Sequence, residues 1–257
     1  MIKAAFFDID GTLVSFKTHC VSEGTVRAFE KLHAQGIRTF ISTGRPYCLL
    51  PEMPLQFDGY VTMNGGYCFM GSEVCHKNPI PQADADRWVN YAREHDICTM
   101  IFTEHGMFVN KLDDPMGVSI SQEVKIEIPP QLDTEKMLGL EAYQFIAVME
   151  PEEDARVLEL LPHCRLPRWH AHFSDLINFN NSKAVGIESI ISRLGISKEE
   201  CIGFGDGAND IEMLDYCGIG VAMGNAKDEV KQHADFVTTS VDEEGIEHAL
   251  KSLRIIK

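Results

Sequence analysis

Two aspartates, Asp8 and Asp10, stand one residue apart where an apolar run ends, in Phe6-Phe7-Asp8-Ile9-Asp10-Gly11-Thr12-Leu13. Alternate residues of a strand face the same way, so both carboxylates point to one side if the strand continues. If Gly11 already turns the chain, they converge on one pocket at the strand's C-terminal end, where open α/β sheets bind ligands. Such a pair can hold a divalent cation while one carboxylate attacks phosphorus. A strand ending in an Asp-Gly turn is the plain alternative. The apolar run followed by Asp-x-Asp-Gly-Thr-Leu is more specific than that turn requires.

A second acidic group follows late in the chain, in Gly203-Phe204-Gly205-Asp206-Gly207-Ala208-Asn209-Asp210. Here a strand runs through a Gly-rich loop into a helix. Asp206, Asn209 and Asp210 could ligate Mg2+ directly or through water, or Asp206 or Asn209 could simply cap the helix. The same residues match G-x-G-x-x-A, the pattern of a dinucleotide site. That reading is discounted, because Asp206 and Asp210 would set negative charge beside a pyrophosphate, and the loop does not belong to an opening β-α-β unit. Two smaller pieces complete the set. In Ile41-Ser42-Thr43-Gly44-Arg45-Pro46 the Thr43 hydroxyl and the Gly44 amide could donate to a phosphate oxygen. Lys183, opened by Ser182, would by itself read as a solvated surface charge; in this company it is the cation available between a phosphoryl group and the acidic cluster.

These residues need elements to position them. Ala4–Ile9 is an apolar run, and a helix follows with Ser22 as cap, Val26, Phe29 and Leu32 as its stripe and Gly36 as its stop. Strands are expected at Ile37–Ser42 and Gly59–Met63, the latter ending in the turn Asn64-Gly65-Gly66, and a hairpin over Gly66–Lys77. Strand, helix, strand at this spacing implies a parallel sheet. Beyond Pro79 and Pro81 the character changes to mixed helix (84–95, 152–161) and strand (98–102, 143–149, 169–179), with no Gly-rich loop. From Ser182 the alternation returns: helix 183–194, strand 201–204, helix 210–217, strand 219–222, helix 227–233, strand 236–238 and a last helix. The fold class expected is α/β, a parallel Rossmann-like core of residues 1–81 and 182–257 with an α+β unit, 82–181, inserted in it.

Composition narrows the function. The 257 residues carry 23 Lys plus Arg against 39 Asp plus Glu, a net charge of −16. A general nucleic-acid binder would carry a basic footprint, so none is expected as partner. A chain this acidic must bind phosphate by local devices: a metal, a few cations or backbone amides. With 44% hydrophobic and 24% charged residues there is material for a sizeable core. No apolar window approaches the length of a membrane span, and the opening lacks a signal-peptide pattern. The eight cysteines include no C-x-x-C pair, which suggests reduced thiols in a cytoplasmic protein rather than a disulfide or zinc framework.

The four pieces, in this order, resemble the haloacid dehalogenase superfamily of phosphatases. The resemblance runs along nearly the whole chain and is most specific at Asp8–Leu13 and Gly205–Asp210. The layout is similar to the Cof-type branch, with a large α/β cap of the type called C2B between the second and third motifs. The resemblance implies Asp8 as nucleophile, Asp10 as general acid/base, and Thr43 and Lys183 as holders of the phosphoryl group. It implies Mg2+ held by Asp8, the main-chain oxygen of Asp10 and Asp206, with Asp210 supporting the metal from behind and Asn209 close to phosphate or to Lys183. Relatives often have Lys-Gly at the third motif where this chain has Lys183-Ala184, a mild change on a helix. Asn180 and Asn181 just before it are expected to cap that helix rather than to touch substrate.

The chemistry expected is hydrolysis of a small phosphorylated metabolite through an aspartyl-phosphate, with sugar phosphates as the default class. Asp8 attacks while Asp10 protonates the leaving alkoxide and then activates water. Mg2+ and Lys183 offset the repulsion between carboxylates and a phosphate dianion. The inserted domain would close over the site and select the leaving group, with Arg165, Arg168, Trp169, Glu104, and His170 and His172 on one strand face as candidates. A phosphomutase of the same superfamily and a regulator that binds a phosphometabolite without catalysis are the alternatives. Oligomeric state is not legible in the sequence.

Overall fold

A computed structural model describes residues 1–123, 129–168 and 170–257. In chain order the first stretch forms β1 (Ala4–Phe7), α1 (Glu23–Ala34), β2 (Arg38–Ser42), β3 (Gly59–Thr62), β4 (Tyr67–Met70) and β5 (Glu73–Lys77). The middle forms α2 (Gln82–Glu94), β6 (Thr99–Thr103), β7 (Gly106–Val109), α3 (Pro115–Glu123), α4 (Thr134–Met137), β8 (Gln144–Val148), α5 (Asp154–Leu160), β9 (Cys164–Arg165) and β10 (Phe173–Asn178). The last stretch forms α6 (Lys183–Leu194), β11 (Cys201–Gly205), α7 (Ile211–Tyr216), β12 (Ile219–Ala222), α8 (Asp228–Lys231), β13 (Phe236–Val237) and α9 (Gly245–Ser252).

The chain divides into two compact units. One comprises Met1–Arg45, Pro51–Lys77 and Ser182–Lys257; the other comprises Asn78–Asn181 and the short segment Pro46–Leu50. The division falls at Asn78 because Asn78 is bonded into the second unit. Its Nδ2 donates to Asn181 Oδ1 at 2.7 Å, while Asn178 Nδ2 donates to the Pro79 carbonyl and Ile80 N to the Ala142 carbonyl, both at 2.8 Å.

The first unit is built on an eight-stranded sheet in the order β13-β12-β11-β1-β2-β3-β4-β5. The strands from β13 to β3 are parallel, and the hairpin β4–β5 adds an antiparallel edge. β1 is buried along its whole length, and its residues alternate between two cores. Ala5 and Phe7 pack with Phe29 and Leu32 of α1 and Ile246 and Leu250 of α9. Ala4 and Phe6 pack with Ile187 and Ile190 of α6 and Met213 of α7. Phe6 stacks on Phe40 at 4.8 Å and Phe7 on Phe204 at 4.9 Å, which ties β1 to both neighbours. A strand read as an unbroken apolar run is therefore the one covered on both faces. The strand order reverses at β1, between β2 and β11, and such a switch point opens a crevice at the C-terminal ends of the strands.

The second unit has a five-stranded sheet, β7-β6-β8-β10-β9, antiparallel throughout, with Trp88 and Ala92 of α2 and Val157 of α5 packed on Ile101, Phe145 and Leu176. The strand expected over 169–179 is shorter, because Ala171 and His172 form a turn before β10. Arg168 holds that turn: its Nη1 donates to the carbonyls of Met149, His170 and Ala171. All eight cysteines are free thiols. Among the described residues no helix is long and apolar enough to cross a membrane.

Candidate active site

The crevice collects side chains from the ends of five adjacent strands. Asp8 and Asp10 follow β1, Thr43 and Gly44 follow β2, Asn64 follows β3, Asp206 and Asn209 follow β11 and Asn225 follows β12. Lys183 comes from outside the sheet, in the first turn of α6, where the Ser182 hydroxyl accepts from Val185 N and caps the helix. This capping corrects the expectation for Asn180 and Asn181. Asn181 is fully buried and bonds Asn78 instead, its Nδ2 donating to the Asn78 carbonyl at 3.0 Å, and Asn180 N donates to Asn178 Oδ1.

Lys183 is completely buried and its Nζ donates to Asp8 Oδ1 at 2.6 Å and to Asp210 Oδ1 at 2.5 Å. Burial works against the ammonium, but Asp210 and Asp8 outweigh it, so the Lys183 pKa is raised and the side chain stays charged. Asp210 is also fully buried, and its second oxygen accepts from the amides of Asp206 (3.0 Å) and Gly207 (2.9 Å). One oxygen of Asp210 thus holds Lys183 and the other holds the loop. The Thr12 hydroxyl donates to Asp206 Oδ1 at 3.2 Å, and Asn225 Nδ2 donates to Asp206 Oδ2 at 3.1 Å and to the Gly11 carbonyl at 2.9 Å. Asp206 is therefore tied to the loop that carries Asp10.

Carboxylate oxygens of Asp8, Asp206 and Asp210 lie within 4.8 Å of one another. Three carboxylates against one ammonium leave the cluster short of positive charge. Burial pushes the Asp8 carboxyl well above the usual carboxylate range, with Lys183 opposing and Asp210, Asp206 and Asp10 adding to the rise. Burial and then the charge of Asp210 push Asp206 up to about 7. Hard oxygen donors gathered with an uncompensated negative charge fit a divalent cation of the Mg2+ or Ca2+ kind.

The carboxylate of Asp10 does not join this cluster. Arg45 takes it in a two-point pair, Nε to Oδ2 at 2.6 Å and Nη2 to Oδ1 at 2.8 Å. Thr43 is buried and its hydroxyl oxygen accepts from Arg45 N at 3.1 Å, which leaves its proton free to be donated. Asn209 Nδ2 donates to Asn64 Oδ1 at 3.1 Å. Arg45, Asn64 and Asn225 were not assigned from sequence. Each stands just past a strand, so one rule, to inspect the polar residues at every parallel strand's C-terminal end, would have found all three.

Residues 5–250 match the model of the haloacid dehalogenase-like hydrolases. The chain belongs to that family. It is 34% identical over 257 residues to YkrA of Bacillus subtilis (strain 168), covering 99% of both chains. It superposes on the subclass IIB sugar phosphatase BT4131 with a TM-score of 0.91 at 38% identity, covering 99% of this chain and 100% of that one. The phosphatase BT1666 from Bacteroides thetaiotaomicron gives 0.92 at 38% identity, over 100% and 96% of the two chains. By that kinship this haloacid dehalogenase-like hydrolase is a phosphatase.

In the inserted unit of this family member, His170 and His172 do not share a strand face, since the turn intervenes. Their rings are 5.7 Å apart; His170 stacks on Phe173 at 4.4 Å and His172 Nδ1 pairs with Glu150 Oε1 at 2.9 Å. Arg168 is paired with Asp154, and Arg165 Nη2 donates to the Asn181 carbonyl. Trp169 lies outside the described residues.

Proposed function

We propose that this chain is a Mg2+-dependent phosphatase of small phosphomonoesters, with sugar phosphates as its preferred class, acting through a phosphorylated Asp8. The observation that carries the reading is the environment of Asp8, buried at the end of the central strand against a buried ammonium and otherwise among acids. Such a carboxylate has one useful partner to seek, an electrophile that brings charge compensation with it.

In the first half-reaction an Asp8 oxygen attacks phosphorus in line, the ester bond breaks, and Asp10 gives its proton to the leaving alkoxide. In the second, Asp10 takes a proton from water, which attacks the acyl phosphate and returns Asp8 and inorganic phosphate. The Thr43 hydroxyl, the Gly44 amide, Lys183 and Asn209 hold the phosphoryl oxygens, and Arg45 orients Asp10 between its two duties. Asp8, Asp206 and the main-chain oxygen of Asp10 would hold the metal, with Asp210 keeping the loop in shape. When bound, the cation supplies the positive charge that lets a phosphate dianion enter among carboxylates. Sugar phosphates are favoured by kinship with a sugar phosphatase. A cytoplasmic setting is part of the proposal, supported by the eight free thiols.

The test is phosphate release from sugar phosphates, nucleotides, pyridoxal phosphate and flavin mononucleotide, with Mg2+ and with EDTA. Metal-dependent turnover of sugar phosphates that Asp8→Asn abolishes is the expected result. Turnover that survives EDTA, or an Asp8→Asn variant of near wild-type rate, refutes the assignment.

A further inference from the structure

We propose that the turn Met63–Gly65 is a fifth working part of the phosphate site, and that Asn64 is the positioning residue that sets Asn209 and the Thr43–Arg45 loop for phosphate binding. The proposal rests on the phosphatase reading above and adds a residue to it.

The backbone gives the first sign. Met63, Asn64 and Gly65 have φ of +49°, +51° and +87°, three successive left-handed residues of which only one is glycine. A long side chain such as that of Met63 enters this region at a cost, so the surrounding structure must hold it there. The hydrogen bonds show what holds it. Met63 N donates to the Arg45 carbonyl and Asn64 N to the Thr43 carbonyl, both at 3.1 Å. The strained turn is therefore laid along the phosphate-binding loop, residue against residue. A left-handed run points successive amides the same way, which an extended chain cannot do.

The side chain of Asn64 supplies the second link. It is almost wholly buried, and its Oδ1 accepts from Asn209 Nδ2 at 3.1 Å. The same amide lies against Gly44, where a Cβ would come within 3.2 Å of Asn64 Nδ2 and 3.6 Å of Asn209 Nδ2. Gly65 supplies the third link. A Cβ at Gly65 would lie 2.0 Å from the Ser182 carbonyl, so only glycine lets the turn approach the start of the helix that carries Lys183. One three-residue turn thus abuts three of the segments that hold phosphate.

Asn64→Gly separates the two contributions. Glycine accepts a left-handed φ at least as easily as asparagine, so the turn keeps its backbone conformation while the buried amide and its hydrogen bond to Asn209 are lost. The affinity for inorganic phosphate in Mg2+, read by calorimetry, should fall about tenfold, the scale of one net hydrogen bond. The thermal midpoint should fall by only a few degrees, with the protein folded at the assay temperature, because the backbone gain offsets part of the lost hydrogen bond. In a double-mutant cycle with Asn209→Ala, the second substitution should cost far less than it does alone, because both remove one interaction. Wild-type phosphate affinity in Asn64→Gly, or losses that simply add in the cycle, overturns the proposal. A wild-type protein that binds no phosphate in Mg2+ overturns the reading of the site, and the proposal with it.

Discussion

Metal binding to this protein should release protons, because burial and neighbouring carboxylates raise the pKa of Asp206 and Asp8. In the metal-free protein Asp206 has its pKa pushed up to about 7 by burial and by Asp210. A carboxylate ligates a metal in its ionised form, so the cation must displace whatever proton it finds there. With a pKa of about 7, Asp206 holds about 0.9 proton at pH 6, about 0.5 at pH 7 and about 0.1 at pH 8. Asp8, also raised, adds to the release. The sign follows: raising the pH empties the site of protons and strengthens metal binding, by up to tenfold per unit below pH 7 from Asp206 alone. The assay is calorimetric titration of EDTA-stripped protein with Mg2+ in two buffers of different ionisation enthalpy, whose difference counts the protons. Repeating it with Asp206→Asn should lower both the affinity and the proton count. Binding at pH 6 with no proton release, or an affinity flat between pH 6 and pH 8, refutes the account of Asp206 as a raised carboxylate in the metal cluster.

Lys183→Met strips the Lys183 ammonium from Asp8 and Asp210, and breaking a buried pair of this kind costs about 3–5 kcal/mol. Urea unfolding at pH 8 should show that loss, and the gap from wild type should narrow as falling pH protonates Asp8; an unchanged midpoint would speak against a buried charge cluster. Gly186→Ala places a Cβ 2.4 Å from Val61 Cγ1, an overpacking that should cost about 1–3 kcal/mol and push the start of α6, with Lys183, off the sheet. Both thermal midpoint and phosphate affinity should fall together, and a fall in neither means that the helix can shift freely. Glu247 links α9 to α1, accepting from Arg27 Nη2 at 3.0 Å and pairing with Lys251 Nζ at 2.7 Å, and these partners hold its pKa below the usual glutamate value. A depressed carboxylate stabilises above its unfolded pKa and loses that contribution as pH falls through its folded pKa. Glu247→Gln should therefore lower stability at pH 7 and flatten the decline on the acid side; an acid limb as steep as wild type would show that the pair contributes nothing.

The local pattern of the chain was enough for most of the core. β1 was legible because a strand covered on both faces must be apolar at every position, and α1 because Ser22 and its stripe obey helical spacing. The inserted unit is less legible in its sequence. β7 and α3 carry no strong periodicity, and β10 starts only at Phe173, because the turn at Ala171–His172 is held by Arg168 bonding to the Met149, His170 and Ala171 carbonyls.

Sequence by itself determined which side chains could carry the chemistry: carboxylates and small hydrogen-bonding residues at strand ends, recognisable because each of those motifs is complete within a few residues, and a lysine opening a helix, recognisable only in their company. Tertiary structure alone decided how they are shared out. It turned the Asp10 carboxylate away to Arg45 and left Asp8, Asp206 and Asp210 as the acidic cluster. It made Asn64 and Asn209, 145 residues apart, one hydrogen-bonded unit. The physical reason is strand order. The β11-β1-β2-β3 arrangement places distant strand ends side by side, and no spacing along a chain records which strand lies next to which.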